Sequence, residues 1–200
     1  MVLIVVVGDL HVPQRAAAIP EAFRQMFAPG RIQLALITGN VGCKDMYDYF
    51  CGVAKEVYCS RGEFDDCWCP QSGTTSGSNP LQDSHVITVE SLRIGVVHGH
   101  QAVPLGDKEA LAAIQRKLDV DVLVSGATHQ SKIFEFDGHL FVNPGSITGA
   151  FTPAQPDVVP TFVLLDVQGK QVMSFSYAYA PGEGAGGENF KIKRRAWTKA

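Results

Sequence analysis

Four stretches of the chain are apolar almost throughout and rich in β-branched residues: 2–7 (VLIVVV), 34–38 (LALIT), 94–97 (IGVV) and 120–125 (VDVLVS). Runs of this kind predict strands covered on both faces. Further along, 132–136 and 172–179 alternate apolar with polar positions, and 140–142 and 161–167 are read with them. They predict antiparallel strands with one buried face. Between the early runs the period changes to that of a helix. Residues 16–27 place Ile19, Ala22, Phe23, Met26 and Phe27 on one side, with Pro20 near the start, and 45–54 and 108–118 follow the same spacing. Helix and strand alternate in the first half, and strands dominate the second. That order predicts a layered α/β fold with two sheets and helices outside them.

Length and composition narrow the picture further. The 200 residues suit a single domain spanning 1–200. Two stretches of low complexity, 71–83 (QSGTTSGSNPLQD) and 181–188 (PGEGAGGE), read as loop insertions. With 46% apolar and 18% charged residues, the chain is neither disordered nor fibrous. A net charge of −3 gives no footprint for nucleic acid. The run at 2–7 is too short to cross a bilayer, and no basic segment precedes it, so neither membrane insertion nor a secretory leader is expected. Five cysteines, an odd number, and the lack of an Asn-x-Ser/Thr sequence favour a reducing cytosol. Cys67 and Cys69 form a lone C-x-C pair and read as free thiols. The basic end (Lys191, Lys193, Arg194, Arg195, Lys199) is interleaved with Phe190, Ile192 and Trp197. It reads as an edge strand with a solvated face rather than a polyanion-binding tail.

The chemistry-bearing residues repeat one arrangement. Five strand-like runs each end in a glycine turn that carries a possible metal ligand: Gly8-Asp9-Leu10-His11, Gly39-Asn40, Gly62-Glu63, His98-Gly99-His100 and Gly126-Ala127-Thr128-His129. Polar groups at the carboxyl ends of neighbouring strands converge on one crevice in folds of this class. Glycine allows the sharp bend such tips need. Taken singly, each motif reads as structural rather than catalytic, an Asn after Gly being the usual turn former. Gathered together, an Asp, several His, an Asn and a Glu suit a borderline divalent ion such as Zn²⁺ or Mn²⁺.

The order D-x-H, G-N, R-G-E-F-D, an isolated His and G-A-T-H resembles the calcineurin-like metallophosphoesterases, in which these words read D-x-H, G-D, G-N-H-[DE], His and G-H-x-H. The words GDLHVP, TGN, YDY, HGHQ, DVDVLVSG, NPGS and TGA resemble, within that superfamily, the small-subunit family of the retromer coat. The resemblance implies a four-layer αββα sandwich with two mixed β-sheets flanked by helices. It implies a first metal site on Asp9, His11, Asn40 and His129, and a second on Asn40, Glu63 and His98. Ala127 stands where the second site's remaining His belongs. Asn40 replaces a bridging carboxylate and Glu63 replaces an Asn, so weak or partial occupancy by Zn²⁺ or Mn²⁺ is expected.

A further departure bears on catalysis. The His of G-N-H-[DE], which protonates the leaving group in the family's enzymes, corresponds to Phe64, and a phenyl ring has no proton to give. Losing a general acid costs ~10²–10⁴ in rate. His100 is the neighbouring group that could substitute. The resemblance therefore implies a non-catalytic scaffold with no catalytic residues. It would dock on the α-solenoid subunit of retromer, vacuolar protein sorting-associated protein 35, in retrograde and recycling transport from endosomes. Such a protein is cytoplasmic and peripheral on endosomal membranes through its complex. Val103 matches an apolar residue of the docking face, although ordinary loop packing explains it equally. Leu164 and Tyr177 match a second apolar patch that receives sorting-nexin or Rab-regulator segments; core burial is the other reading. An active metal-dependent phosphoesterase is the alternative function.

Overall fold

The side chains of Val2–Val7 serve two cores at once, and this sets the architecture. The computed structural model describes residues 1–28, 30–65, 81–180 and 190–199. Its elements are β1 (Val2–Val7), α1 (Glu21–Arg24), β2 (Ile32–Ile37), α2 (Lys44–Val53), β3 (Ala54–Cys59), β4 (Ser84–Val89), β5 (Leu92–Val97), α3 (Lys108–Leu118), β6 (Val122–Val124), β7 (Ser131–Phe136), β8 (His139–Pro144), β9 (Thr161–Gln168), β10 (Gln171–Tyr179) and β11 (Phe190–Thr198). They form a six-stranded sheet, β11-β10-β9-β1-β2-β3, and a five-stranded sheet, β4-β5-β6-β8-β7.

Both sheets are mixed. In the first, β1, β2 and β3 run parallel while β9, β10 and β11 add as an antiparallel meander. In the second, β5, β6 and β8 are parallel, and β4 and β7 are antiparallel edges. Ile4, Val6 and Leu36 face Ile94, Val96, Val122, Val124 and Val142, and this cluster fills the space between the sheets. Val5, Val7, Ala35 and Ile37 point the other way, onto Phe23 of α1 and Tyr47 and Phe50 of α2. Leu123 and Phe141 carry Leu111 and Ala112 of α3 on the far side. The order is helix, sheet, sheet, helix: an αββα sandwich whose central strands are buried on both faces, hence their continuous apolar runs.

Two details differ from the sequence reading. The helix predicted over 16–27 is regular only over Glu21–Arg24. Pro20 caps it with an extended ψ of 132°, and proline both lacks an N–H and bars helical geometry from the residue before it. The apolar period still does its work, since Ile19, Phe23 and Phe27 are all buried. Strand β4 was not anticipated. Buried His85 and exposed Val86 invert the usual polarity and mask its alternation. Of the loop expected at 71–83, only 81–83 are described; Gln82 bridges to Ser60, and Asp83 pairs with Arg61 at 2.9 Å. The segment at 181–188, Cys67 and Cys69 lie outside the described residues. The basic end does form an edge strand, β11. Among the described residues, no helix is long and apolar enough to cross a membrane.

Candidate metal centre

The tips of β1, β2, β3, β5 and β6 meet at one end of the sandwich, and their polar residues fall into two groups. Asp9, His11 and His129 are all buried, with their donor atoms within 4.8 Å of one another. Glu63, His98 and His100 form a second group under the same limit. Asn40 lies between them. Its Nδ2 is 3.0 Å from His98 Nε2, and its Oδ1 accepts a hydrogen bond from the Phe64 N–H at 3.1 Å.

Backbone geometry around the first group is costly. Asp9, His11, Asn40, Ala127 and His129 all have positive φ, between 48° and 66°. Non-glycine residues in this region are uncommon, and they cluster at functional sites held in place by the surrounding fold. Of the tip glycines, Gly39 and Gly99 take the bend the sequence suggested, with φ of 110° and 106°, while Gly8 and Gly126 do a different job. A Cβ on Gly8 or Gly126 would collide with the Thr38 hydroxyl. These two glycines permit close approach of the tips, while the ligands themselves take up the bend.

Hydrogen bonds orient the imidazoles. His129 Nδ1 donates to the Ala150 carbonyl at 2.6 Å, and His98 Nδ1 to the Thr38 carbonyl at 2.7 Å. In each ring Nε2 is left to face inward, as in metal-binding histidines held by an outer partner. His129 Nε2 lies 3.7 Å from Asp9 Oδ1, and His98 Nε2 lies 3.9 Å from the same oxygen. Asp9 Oδ2 accepts from the Ala127 N–H at 2.9 Å, but Asp9 Oδ1 and His11 Nε2 are buried with no hydrogen-bond partner. Two buried, unpaired ligand atoms aimed at one point are costly unless something binds them. Together with His129 Nε2 they offer the mixed nitrogen and oxygen donor set that suits Zn²⁺ or Mn²⁺. These residues fit a divalent ion.

Ionisation follows from the same geometry. Burial pushes the Asp9 carboxyl above its ordinary value, against the pull of His98 and His129. Burial and then the Arg15 charge drive His11 down to about 3, so its ring is neutral and able to ligate. Burial opposes the charge on Glu63, yet the hydrogen bond with His98 and the imidazolium charge prevail and bring it down to about 2. Burial also opposes charge on His98, and the hydrogen bond to Glu63 with the charges of Asp9 and Glu63 overcomes it, raising that ring. His98 Nε2 is 2.8 Å from Glu63 Oε2. Protonated, it donates to Glu63; deprotonated, it can accept from Asn40 or hold a metal.

One residue that the sequence reading passed over holds the tips together. Asp65 is buried, and its carboxylate accepts from the N–H groups of Asn40 (2.7 Å), Val41 (2.8 Å) and Gly62 (2.9 Å). It ties the β2 loop to the β3 loop.

Several apolar side chains near the centre are exposed. Phe64 is 50% exposed, with its ring 5.4 Å from that of His11 and the Arg15 guanidinium 4.7 Å above it. Phe151, under the same Arg15, is exposed as well. Val103 is 81% exposed and Leu105 also projects outward, so Val103 is not packed within its loop. Leu164 and Tyr177 lie elsewhere, half-buried on the outer face of the first sheet, where Tyr177 stacks on Phe162 at 4.8 Å.

Residues 2–170 match the calcineurin-like phosphoesterase superfamily domain. A curated relative, vacuolar protein sorting-associated protein 29 of Schizosaccharomyces pombe, is 37% identical over 185 residues, covering 90% of this chain and 93% of that protein. This chain belongs to the vacuolar protein sorting-associated protein 29 (Vps29) family of the calcineurin-like phosphoesterase superfamily. Solved Vps29 structures superpose over nearly the full length. That of Cryptosporidium parvum aligns with a TM-score of 0.89 at 32% identity, covering 99% of this chain and 98% of that one. Wild-type Vps29 of Entamoeba histolytica, crystallised with Zn²⁺, aligns with a TM-score of 0.82 at 39% identity, covering 97% and 98%.

Proposed function

We propose that this Vps29-family chain is a retromer subunit that works as a non-catalytic scaffold. It docks its strand-tip face on the α-solenoid subunit, vacuolar protein sorting-associated protein 35, for endosome-to-Golgi retrograde and recycling transport. It is cytoplasmic and reaches endosomal membranes through that complex. The observation that carries the reading is the apolar rim. Exposed Phe64 and Phe151 flank Arg15 beside the buried polar group, and exposed Val103 and Leu105 follow His100 in the next loop; exposed apolar and aromatic side chains close to a buried centre suit a docking surface better than a phosphate-binding mouth. Leu164 and Tyr177 offer a separate apolar patch for short segments of sorting-nexin or Rab-regulator type.

Asp9, His11 and His129, with Asn40 beside them, would hold one Zn²⁺ or Mn²⁺. When bound, such an ion polarises a coordinated oxygen and lowers the pKa of a bound water. In the scaffold reading the protein residues use it to pin the tips of β1 and β6 together, which rigidifies the rim. Phe64, at the place of the family's general acid, supplies no proton. The convergence of two ligand groups favours one other reading, a metal-dependent phosphoesterase. Turnover of a generic phosphodiester with excess Mn²⁺ or Zn²⁺ separates the two. The scaffold predicts a rate indistinguishable from the Asp9→Ala variant. Metal-dependent hydrolysis that disappears in Asp9→Ala would overturn it.

A further inference from the structure

We infer that the second sheet accepts a sixth strand from a partner protein: an extended segment with acidic residues at alternate positions, added to the free edge of β7 beneath the cations of β11. The first sheet has six strands and the second has five. At one end the two sheets are joined, because Ser60, next to the end of β3, bridges Gln82, two residues before β4. At the other end β7 lies against β10, where the Ser131 and Ser176 hydroxyls meet at 2.8 Å. Strand β11 therefore overhangs the second sheet by one strand, and the position beneath it is open.

The edge of β7 is ready to pair. Among the described residues, β7 pairs with β8 alone. Opposite Ile133 and Glu135, the main-chain groups of Val142 and Leu140 are turned to the β6 side: the Val142 carbonyl accepts from the Ser125 N–H at 2.9 Å, and the Leu140 N–H donates to the Asp121 carbonyl at 3.1 Å. The main-chain groups of Ile133 and Glu135 therefore turn outward, as alternate residues of an antiparallel pair do. Arg195 of β11 already uses one of them, its Nη1 donating to the Ile133 carbonyl at 3.1 Å. An open row of such groups is a template for an added strand.

Charge selects the guest. Lys191, Lys193 and Arg195 alternate along β11 and share the face that carries Trp197 into the space between the sheets. Lys193 and Arg195 line a hollow of about 330 Å³ with Ser131, Ile133 and Ser176, and no Asp or Glu lines it. Among the described residues, neither of these two cations pairs with a carboxylate. Positions two apart on any strand are separated by ~6.6 Å, so alternate carboxylates of a guest strand keep step with alternate cations of β11. Stacked sheets lie ~10 Å apart, a span that a Lys or Arg side chain closes against a Glu. A guest N–H that takes over the Ile133 carbonyl releases the Arg195 guanidinium to a guest carboxylate. The same cations repel a second copy of β11, which protects this corner from self-association.

The probe is a fluorescent octapeptide alternating glutamate with valine, titrated with the full chain and read by anisotropy. Two further peptides serve as controls: one with the same composition but its glutamates in a single block, and one with the amides of its pairing edge N-methylated. Wild type should bind the alternating peptide more tightly than either control, and the affinity should fall as salt rises. Lys193→Glu should weaken binding about 10-fold, since an attraction becomes a repulsion of similar size. Lys55→Glu makes the same change of net charge on β3, at the opposite edge of the first sheet, and should bind as wild type does. Both lysines are exposed, so both variants should keep the fold, which thermal melts verify. The alternating peptide should also slow hydrogen exchange at the Ile133 and Glu135 N–H groups. The inference is overturned if wild type does not bind the alternating peptide or if Lys193→Glu binds it equally well. It is overturned as well if either control peptide binds as tightly, which would mean attraction between charges without an added strand. These readouts do not involve the strand-tip face, so their failure and the failure of docking on the α-solenoid are separate results.

Discussion

Replacing Asp9 by Asn should have opposite effects on stability with and without metal. Asp9 is fully buried at the tip of β1, and only Oδ2 is hydrogen-bonded, to the Ala127 N–H at 2.9 Å. Oδ1 has no partner, and the nearest polar atoms are His129 Nε2 at 3.7 Å and His98 Nε2 at 3.9 Å. An amide keeps the acceptor for Ala127. It also turns an N–H₂ toward His129 Nε2, whose ring already donates through Nδ1 to the Ala150 carbonyl. A buried polar atom without a partner costs about 1–3 kcal/mol. In chelator, Asp9→Asn should therefore be more stable than wild type by a similar amount, which is roughly 2–4 °C per kcal/mol in a chain of this size. With Zn²⁺ the order reverses. An ion present at about 100 times its Kd stabilises the fold by ~2.7 kcal/mol, and the variant loses the increment belonging to the first site. The assay is a pair of thermal denaturation curves per protein, in chelator and across a zinc series. If Asp9→Asn is less stable than wild type in chelator, or gains as much from zinc, the assignment of Oδ1 as an unsatisfied metal ligand is wrong.

Truncating Asp65 to Ala should strand the N–H groups of Asn40, Val41 and Gly62. The cost, about 3–5 kcal/mol from several buried donors, is measured by urea denaturation and should exceed that of removing any single ligand. Acid should destabilise the protein in part through His85, which is buried, accepts no charge readily for that reason, and lies 2.9 Å from the Cys59 carbonyl through Nε2. Its folded pKa lies below its unfolded value, so the unfolded chain takes up the proton first. Stability is full above about pH 6.5 and falls by up to ~1.4 kcal/mol per pH unit below it. Denaturation of wild type and His85→Gln between pH 7.5 and 5, in chelator, should show a shallower acid limb in the variant; parallel limbs would refute the argument.

The strand tips were legible because their chemistry is written locally: a glycine, then Asp, Asn, Glu or His, after each apolar run. The layers were legible because β1, β2, β5 and β6 are apolar on both faces. What escaped depends on distance in the chain. Asp65 acts on main-chain N–H groups more than twenty residues away, and nothing in R-G-E-F-D marks the second acid as structural. The sequence offers His100 as a substitute acid, and only the fold brings its Nδ1 within 3.7 Å of Glu63 Oε2. The sequence pointed to glycines for the bend, which holds at Gly39 and Gly99, but it did not mark the positive φ of Asp9, His11 and His129. For Val103 the sequence left loop packing and exposure equally open, and only the fold separates them.

The central claim is that the apolar rim beside the metal centre is a docking face. Calorimetric titration of the chain into the α-solenoid subunit, vacuolar protein sorting-associated protein 35, tests it most directly. Val103→Asp puts a carboxylate at the most exposed apolar point of the rim. It should weaken binding at least tenfold, or about 1.4 kcal/mol, while Leu164→Asp on the outer sheet face binds as wild type does. Equal affinity for wild type and Val103→Asp would contradict the account.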